Sequence, residues 1–325
     1  SVTGNIWNYE TTNRGAVMPI TPTKKIWFDG ELVDWEKATT HVLSHTLHYG
    51  TGAFEGIRAY MTDKGPAIFR LEEHMARLAA SCKILMIDLP YSVEELCKAA
   101  IDTIKANDVK ENTYLRPLVY LGYGEMGIFP LNSPVNTIIA VWPWGAYLGD
   151  HGSENGVRMK ISSWARHYPN SMPTASKTVG GYVNSSLAKV EAVKAGYDEA
   201  IMLGTDGRIS ECTGENLFIV RNGKIITPPA SGAGALSGIT LDSVGKIASD
   251  LGYELSFESM RRDDLYLADE AFLSGTAAEI VPISSVDDRL VGDGTPGPVT
   301  KAIQKTYLSA VRGELAQYES WLTRV

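Results

Sequence analysis

Cysteine is scarce in this chain. Among 325 residues there are three, Cys82, Cys97 and Cys212, widely spaced and in no C-x-x-C or mixed His/Cys pattern. This argues against a disulfide framework and a zinc site, so no metal is expected and a reducing, cytoplasmic setting is. No apolar run approaches the ~18 residues that a bilayer span requires, and residues 1–10 lack the basic and apolar regions of a signal peptide. Basic residues are outnumbered, 30 Lys and Arg against 38 Asp and Glu for a formal charge of -8, and no basic run could track phosphates. A nucleic-acid partner is therefore excluded, and so is membrane insertion. What is present is an ordinary globular balance, 44% hydrophobic and 21% charged, in a chain longer than one core usually serves.

Two α/β domains are expected: an irregular arm at 1–25, a smaller α/β domain at 26–140, an interdomain loop at 141–152 and a larger α/β domain at 153–325. Turn dipeptides mark hairpins at Asp29-Gly30 and Asn222-Gly223. Helical spacing appears from Leu71 through Met75 and Leu78, from Leu96 to Ile104, near 183–195, from Ile239 or Thr240 to Leu251, and near 302–315, opened by Gly297-Pro298-Val299. Gly122-Tyr123-Gly124-Glu125-Met126-Gly127 matches the dinucleotide fingerprint G-x-G-x-x-G, but that motif must open a helix. Pro130 and Pro134 follow, so the segment is read as a glycine-rich loop.

Chemistry concentrates in four places. Met172-Pro173-Thr174-Ala175-Ser176-Lys177-Thr178-Val179-Gly180-Gly181-Tyr182 sets one lysine among small and apolar neighbours just before a helix. An amine in partly apolar surroundings deprotonates more easily and can form a Schiff base. Residues 231–240 are rich in glycine and run into a helix whose first turn holds Thr240, the kind of junction that binds phosphate. Ile209-Ser210-Glu211-Cys212-Thr213-Gly214-Glu215-Asn216 places two carboxylates before an apolar strand, and a buried one needs a cation. Ser274-Gly275-Thr276-Ala277-Ala278 is a run of small residues suited to close backbone approach. With Arg77, these meet the needs of pyridoxal 5′-phosphate: a lysine for its aldehyde, a carboxylate for its ring nitrogen, and anion-binding groups for its phosphate.

The chain resembles the fold-type IV pyridoxal-phosphate enzymes, most closely the branched-chain amino acid aminotransferases. The likeness covers roughly residues 25–325 and rests on several motifs in one order. Among them are His48-Tyr49-Gly50, Phe54-Glu55-Gly56-Ile57-Arg58, His74-Met75-Ala76-Arg77-Leu78, the loop 122–127, Pro143-Trp144-Gly145-Ala146-Tyr147, Gly214-Glu215-Asn216-Leu217-Phe218 and Ser274-Gly275-Thr276-Ala277-Ala278-Glu279. The resemblance implies an active site between two domains, with Lys177 as Schiff-base lysine and proton shuttle. Glu211 would face the pyridine nitrogen and Tyr182 the phenolic oxygen, while Arg77, Ile239, Thr240 and Thr276 would hold the phosphate. Tyr114 and the N–H groups of Thr276 and Ala277 would take the substrate carboxylate, and Arg116 the side-chain carboxylate of glutamate. Phe54, Tyr49 and Tyr147 would form the apolar pocket, Arg58 would join the substrate residues, and Met126 and Ile128 would come from a second subunit of a homodimer or an assembly of dimers. The implied reaction is ping-pong transfer between Leu, Ile or Val and 2-oxoglutarate.

Ser237 stands where many relatives have proline, the loop 230–238 is one residue longer, and Gly181 replaces a common asparagine; these departures touch the cofactor's edge. The glycines beside Lys177 are expected to leave room for the cofactor ring. The rival readings within the fold are a D-amino acid or (R)-amine transaminase and an aminodeoxychorismate lyase-like enzyme. A non-enzymatic assembly protein is opposed by the presence of Lys177, Glu211 and Arg77 together.

Overall fold

The computed structural model describes residues 20–145 and 148–325. Most of the expected arm, residues 1–19, therefore lies outside the described residues, as does Tyr147.

Two sheets organise the chain. The hairpin Lys25–Phe28/Glu31–Asp34 turns on Asp29 and Gly30, both at positive φ (48° and 99°), which matches the right-handed twist of the flanking strands. It pairs with Val135–Pro143, which pairs along its whole length with Thr113–Leu121. That antiparallel pairing leaves no crossover helix after Leu121, so the glycine-rich loop 122–127 is a connection within a sheet and not a dinucleotide turn. Beyond Thr113–Leu121 lie Ile57–Thr62 and Gly65–Phe69, and the edge strand is Leu322–Arg324 from the far end of the chain.

Pro117 sits inside a central strand, where a missing N–H would ordinarily break the ladder. Here the neighbour is itself interrupted: Gly52–Phe54 pairs with residues 118–120 and Ile57–Thr62 with residues 113–115. Between them Glu55 donates its N–H to the Pro117 carbonyl at 2.9 Å. The strand break turns Glu55 inward.

The second sheet runs Ile209–Cys212, Glu199–Leu203, Val157–Ile161, Glu279–Val286, Glu270–Gly275, Asn216–Arg221, Lys224–Thr227, Leu255–Phe257 and mixes parallel with antiparallel pairs. Asn222 and Gly223 close its hairpin at φ 52° and 76°. Helices Leu71–Ile84 and Val93–Ala106 bury Met75, Leu78, Leu96 and Ile104 against Ile57, Leu115 and Val141 of the first sheet. A second core joins Tyr60 and Phe69 of that sheet to Phe218 and Phe272 of the other, with Val244 and Tyr307 from helices Ile239–Asp250 and Pro298–Val311. This shared core explains why Leu322, buried in it, returns the chain's last residues to the first sheet.

The terminal helix begins at Pro298, earlier than the expected 302. Proline fits the first turn because its N–H would be unused there, and the Glu270 carboxylate accepts from the N–H groups of Val299 and Thr300. The helix stops at Val311, before Gly313 at φ 74°. Around the expected interdomain loop 141–152, the strand continues to Pro143 and a helix, Gly149–Asn155, begins.

Candidate active site

The lysine segment is held by its backbone. The Lys177 N–H donates to Ser81 Oγ of the helix Leu71–Ile84 at 3.1 Å, and its carbonyl accepts from the Phe54 N–H at 3.1 Å. Its side chain projects into a cavity of about 710 Å³, within the range of small-molecule sites. There Lys177 Nζ donates to the Tyr182 hydroxyl at 2.6 Å and lies over the Phe54 and Tyr182 rings.

Glu211, 5% exposed, reaches the same cavity from the strand Ile209–Cys212. Burial pushes its carboxyl up, countered by Arg166 at 2.8 Å and the Leu236 N–H at 3.0 Å. Arg77 enters from the side of the first sheet. Its Nε and Nη2 donate to the two oxygens of fully buried Glu55 at 2.6 and 2.9 Å, and its Nη1 to the Ser237 carbonyl at 2.8 Å. Although burial opposes it, the pairing with Arg77 and His74 holds the Glu55 carboxyl well below the usual carboxylate range. Beside Ser237, Ile239 and Thr240 open the helix Ile239–Asp250 toward the cavity. A guanidinium and a helix N-terminus facing one space can hold a phosphate dianion.

Thr276 and Ala277 also line the cavity, just past the strand Glu270–Gly275. Tyr114, packed at a tilt against Trp142 and Trp144, lies across from Gly56, where any Cβ would sit 1.9 Å from the Tyr114 hydroxyl. Arg116 lies over the Phe54 ring at 4.6 Å, and among the described residues its buried Nε has no acceptor.

A family model for amino-transferase class IV matches residues 52–286. The chain belongs to that family. The branched-chain-amino-acid aminotransferase of Escherichia coli (strain K12) is 48% identical over 307 residues, 93% of this chain and 99% of that protein; the Pseudomonas aeruginosa protein of the same name is 45% identical over 300 residues, 92% and 97%. Among solved structures, an E. coli branched-chain amino acid aminotransferase superposes with TM-score 0.90 at 47% identity, covering 93% of this chain and 99% of that one. The branched-chain amino acid aminotransferase from Thermobaculum terrenum, solved in its PLP-form (holo-form), superposes with TM-score 0.87 at 36% identity, covering 93% and 98%.

Within this class IV chain, the structure gathers Lys177, Tyr182, Glu211, Arg77, Ile239, Thr240, Thr276, Ala277, Phe54, Tyr114 and Arg116 around this cavity. Four expected site residues do not line this cavity within the chain, and two of them, Met126 and Ile128, are expected there only from a second subunit. Arg58, 4% exposed, donates to the carbonyls of Ala277 and Gly145 at 2.7 and 2.8 Å, so it braces the carboxylate-side turn from behind. Tyr49 is half exposed and packs on His45, while Met126 and Ile128 are exposed on the loop after Leu121. The expected role of Gly180 changes: a Cβ there would meet the Gly50 backbone at 3.2 Å, and one on Gly50 would meet Gly180 Cα at 2.7 Å. Gly180 is thus needed for close packing of two backbone segments, while Gly181 borders the cavity.

Sequence reasoning missed Arg166, Glu55 as the anchor of Arg77, and a buried charge cluster behind Glu211. In that cluster Glu199 accepts from Lys189 at 2.5 Å and from Thr213 at 2.7 Å. Burial first, and then the neighbouring Glu199 carboxylate, push the Glu215 carboxyl up to about 8 from 4.5. The folded state thus retains a proton that the unfolded chain releases above about pH 4.5, so this site's contribution to stability falls as pH rises from 4.5 to 8. Glu215→Gln removes that slope. Thermal melting is expected to show little difference from the parent at about pH 5 and a variant several degrees more stable above about pH 8; parallel curves would contradict the assignment.

Proposed function

We propose that the protein is a branched-chain amino acid transaminase that uses pyridoxal 5′-phosphate to move amino groups between Leu, Ile or Val and 2-oxoglutarate. The observation that carries this reading is one cavity in which a Lys–Tyr pair, a buried carboxylate and an Arg–helix phosphate grip surround an aromatic wall bearing Arg116. When bound, the cofactor supplies an aldehyde that takes up the amine and a pyridinium ring that accepts the electron pair left as the Cα–H bond breaks.

The chain's own residues supply the rest. Lys177 Nζ takes the proton from the substrate Cα and returns it on the cofactor side, and the Tyr182 hydroxyl 2.6 Å away orients that amine. Glu211 provides the negative charge that keeps a proton on the ring nitrogen, itself held by Arg166 and the Leu236 N–H. Arg77, Thr240 and Thr276 anchor the phosphate end. Tyr114 and the Thr276–Ala277 turn, braced by Arg58, receive the substrate carboxylate. Two half-reactions share this site, which makes the transfer ping-pong.

Phe54 and Tyr114 offer an aliphatic side chain a dry wall, while glutamate brings a second charge that Arg116 meets at the pocket's edge. Arg116→Leu is accordingly expected to lower kcat/KM for L-glutamate by about 10–100-fold, the worth of a charge-assisted hydrogen bond, and to leave L-leucine within a few-fold. Equal losses for both donors would remove Arg116 from the specificity account. The reaction class is tested by a donor panel of L-leucine, L-glutamate, D-alanine and a simple (R)-amine with 2-oxoglutarate or pyruvate as acceptor. Transfer from the first two supports this reading, and transfer only from the last two replaces it with a rival of the same fold.

A homodimer completes the proposal. Its support is the loop after Leu121, which leaves Met126, Ile128 and Phe129 47%, 89% and 65% exposed, apolar surface of the kind a second copy would cover. A cytoplasmic location is proposed on the three free cysteines; among the described residues no helix is long and apolar enough to cross a membrane.

A further inference from the structure

The phosphate grip has a foundation that no feature of the proposed reaction requires. Glu55 is fully buried at the break between two strands, with its N–H on the Pro117 carbonyl. Four donors converge on its two carboxylate oxygens: Arg77 Nε at 2.6 Å, Arg77 Nη2 at 2.9 Å, His74 Nδ1 at 2.8 Å and the Gly56 N–H at 3.3 Å. A carboxylate only accepts, so His74 carries its proton on Nδ1. His74, Arg77 and Ser81 follow at i, i+3 and i+7 on the helix Leu71–Ile84 and so share one face. Ser81 holds the Lys177 backbone at 3.1 Å.

Three of the five N–H groups of Arg77 are thereby committed, two to Glu55 and one to Ser237. A guanidinium gripped along its Nε–Nη2 edge cannot rotate about its stem, so its remaining donors have one direction. Two electrostatic effects compete. The Glu55 charge partly cancels that of Arg77 and weakens its pull on an anion, yet it fixes the fork. In a site where the anion also sits on a helix N-terminus, orientation outweighs the lost charge, because a charge-assisted hydrogen bond is directional and an untethered arginine must be ordered at each binding event.

We propose that Glu55 and His74 are positioning residues for cofactor binding: Glu55 clamps Arg77 in the orientation that holds the phosphate, and His74 fixes the Glu55 carboxylate. One helix face then sets the phosphate grip and the lysine backbone relative to each other. The inference rests on the proposed cofactor.

Glu55→Gln is nearly isosteric but puts an amide donor where Arg77 or His74 also donates. Purified apoprotein is titrated with pyridoxal 5′-phosphate and, separately, with pyridoxal, which lacks the phosphate, and the ³¹P resonance of the loaded protein is recorded. Glu55→Gln is expected to weaken pyridoxal 5′-phosphate about tenfold or more, to leave pyridoxal within about twofold, and to shift the ³¹P signal. His74→Leu should act in the same direction and His74→Gln, which keeps a donor, should restore affinity; this pair carries the test if Glu55→Gln does not fold. Unchanged or tighter binding of pyridoxal 5′-phosphate in Glu55→Gln and His74→Leu overturns the inference, as does an equal loss for both ligands. If the parent protein binds neither ligand, the cofactor reading itself falls, a result distinct from these.

Discussion

Lys177→Ala is expected to lower kcat/KM for amino transfer from L-leucine by about 10⁴-fold, the upper range for loss of a positioned general acid–base group, and to replace the imine band of the cofactor-loaded protein with that of the free aldehyde. The side chain is removed but the fold is not. The contacts that hold this segment are made by the Lys177 backbone, to Ser81 Oγ and the Phe54 N–H, and alanine keeps both. Melting is therefore expected to stay close to the parent's, as for substitutions that leave no buried group unpaired. With the amine gone, the Tyr182 hydroxyl loses its 2.6 Å partner, and a small primary amine added to the solution should restore part of the activity. Turnover within about tenfold of the parent would remove Lys177 from the chemistry.

Glu211→Ala has the second large effect, and it divides into two. Arg166, its side chain 10% exposed, would lose the one carboxylate it meets among the described residues, and an unpaired buried charge costs about 3–5 kcal/mol. Separately, the loss of a preorganised charge in a water-poor site is expected to slow transfer by about 10²–10³-fold. A second substitution separates the two. Glu211→Ala combined with Arg166→Met should regain most of the lost stability, since an apolar pair replaces the ion pair at little or no cost, but none of the rate. Recovery of activity in the double variant would show that Glu211 serves the fold alone.

These two residues are legible in the sequence for opposite reasons. Lys177 stands out locally, a lysine among small and apolar residues before a helix, whereas Glu211 is one of two carboxylates before an apolar strand and is told apart from Glu215 only through the family's order of motifs. What a sequence does not display is pairing across distance. Arg166 has no pattern around it, and its meeting with Glu211 depends on how the loop after Ser162 crosses the second sheet. Glu55 lies inside a recognisable motif, yet its role follows from a strand break at Pro117 that no periodicity announces. Arg58 shares that motif, which is why it is expected among the substrate residues; on its strand it points to the far side, onto the Ala277 carbonyl. Hairpins at Asp29-Gly30 and Asn222-Gly223 are readable because positive φ demands those residue types. The edge strand Leu322–Arg324 is not, since three residues carry no period and only the shared core around Phe69 and Tyr307 fixes their place.

The central claim is that one amine passes through this cavity in two separable halves, and a single-turnover experiment tests it most directly. Cofactor-loaded protein is mixed with L-leucine and no acceptor, and the released 2-oxo acid is quantified alongside the visible spectrum. The expected result is about one equivalent of oxo acid per site with loss of the visible band, followed by return of the band and formation of glutamate when 2-oxoglutarate is added. Release of no oxo acid until both substrates are present, or a spectrum indifferent to L-leucine, would contradict the account.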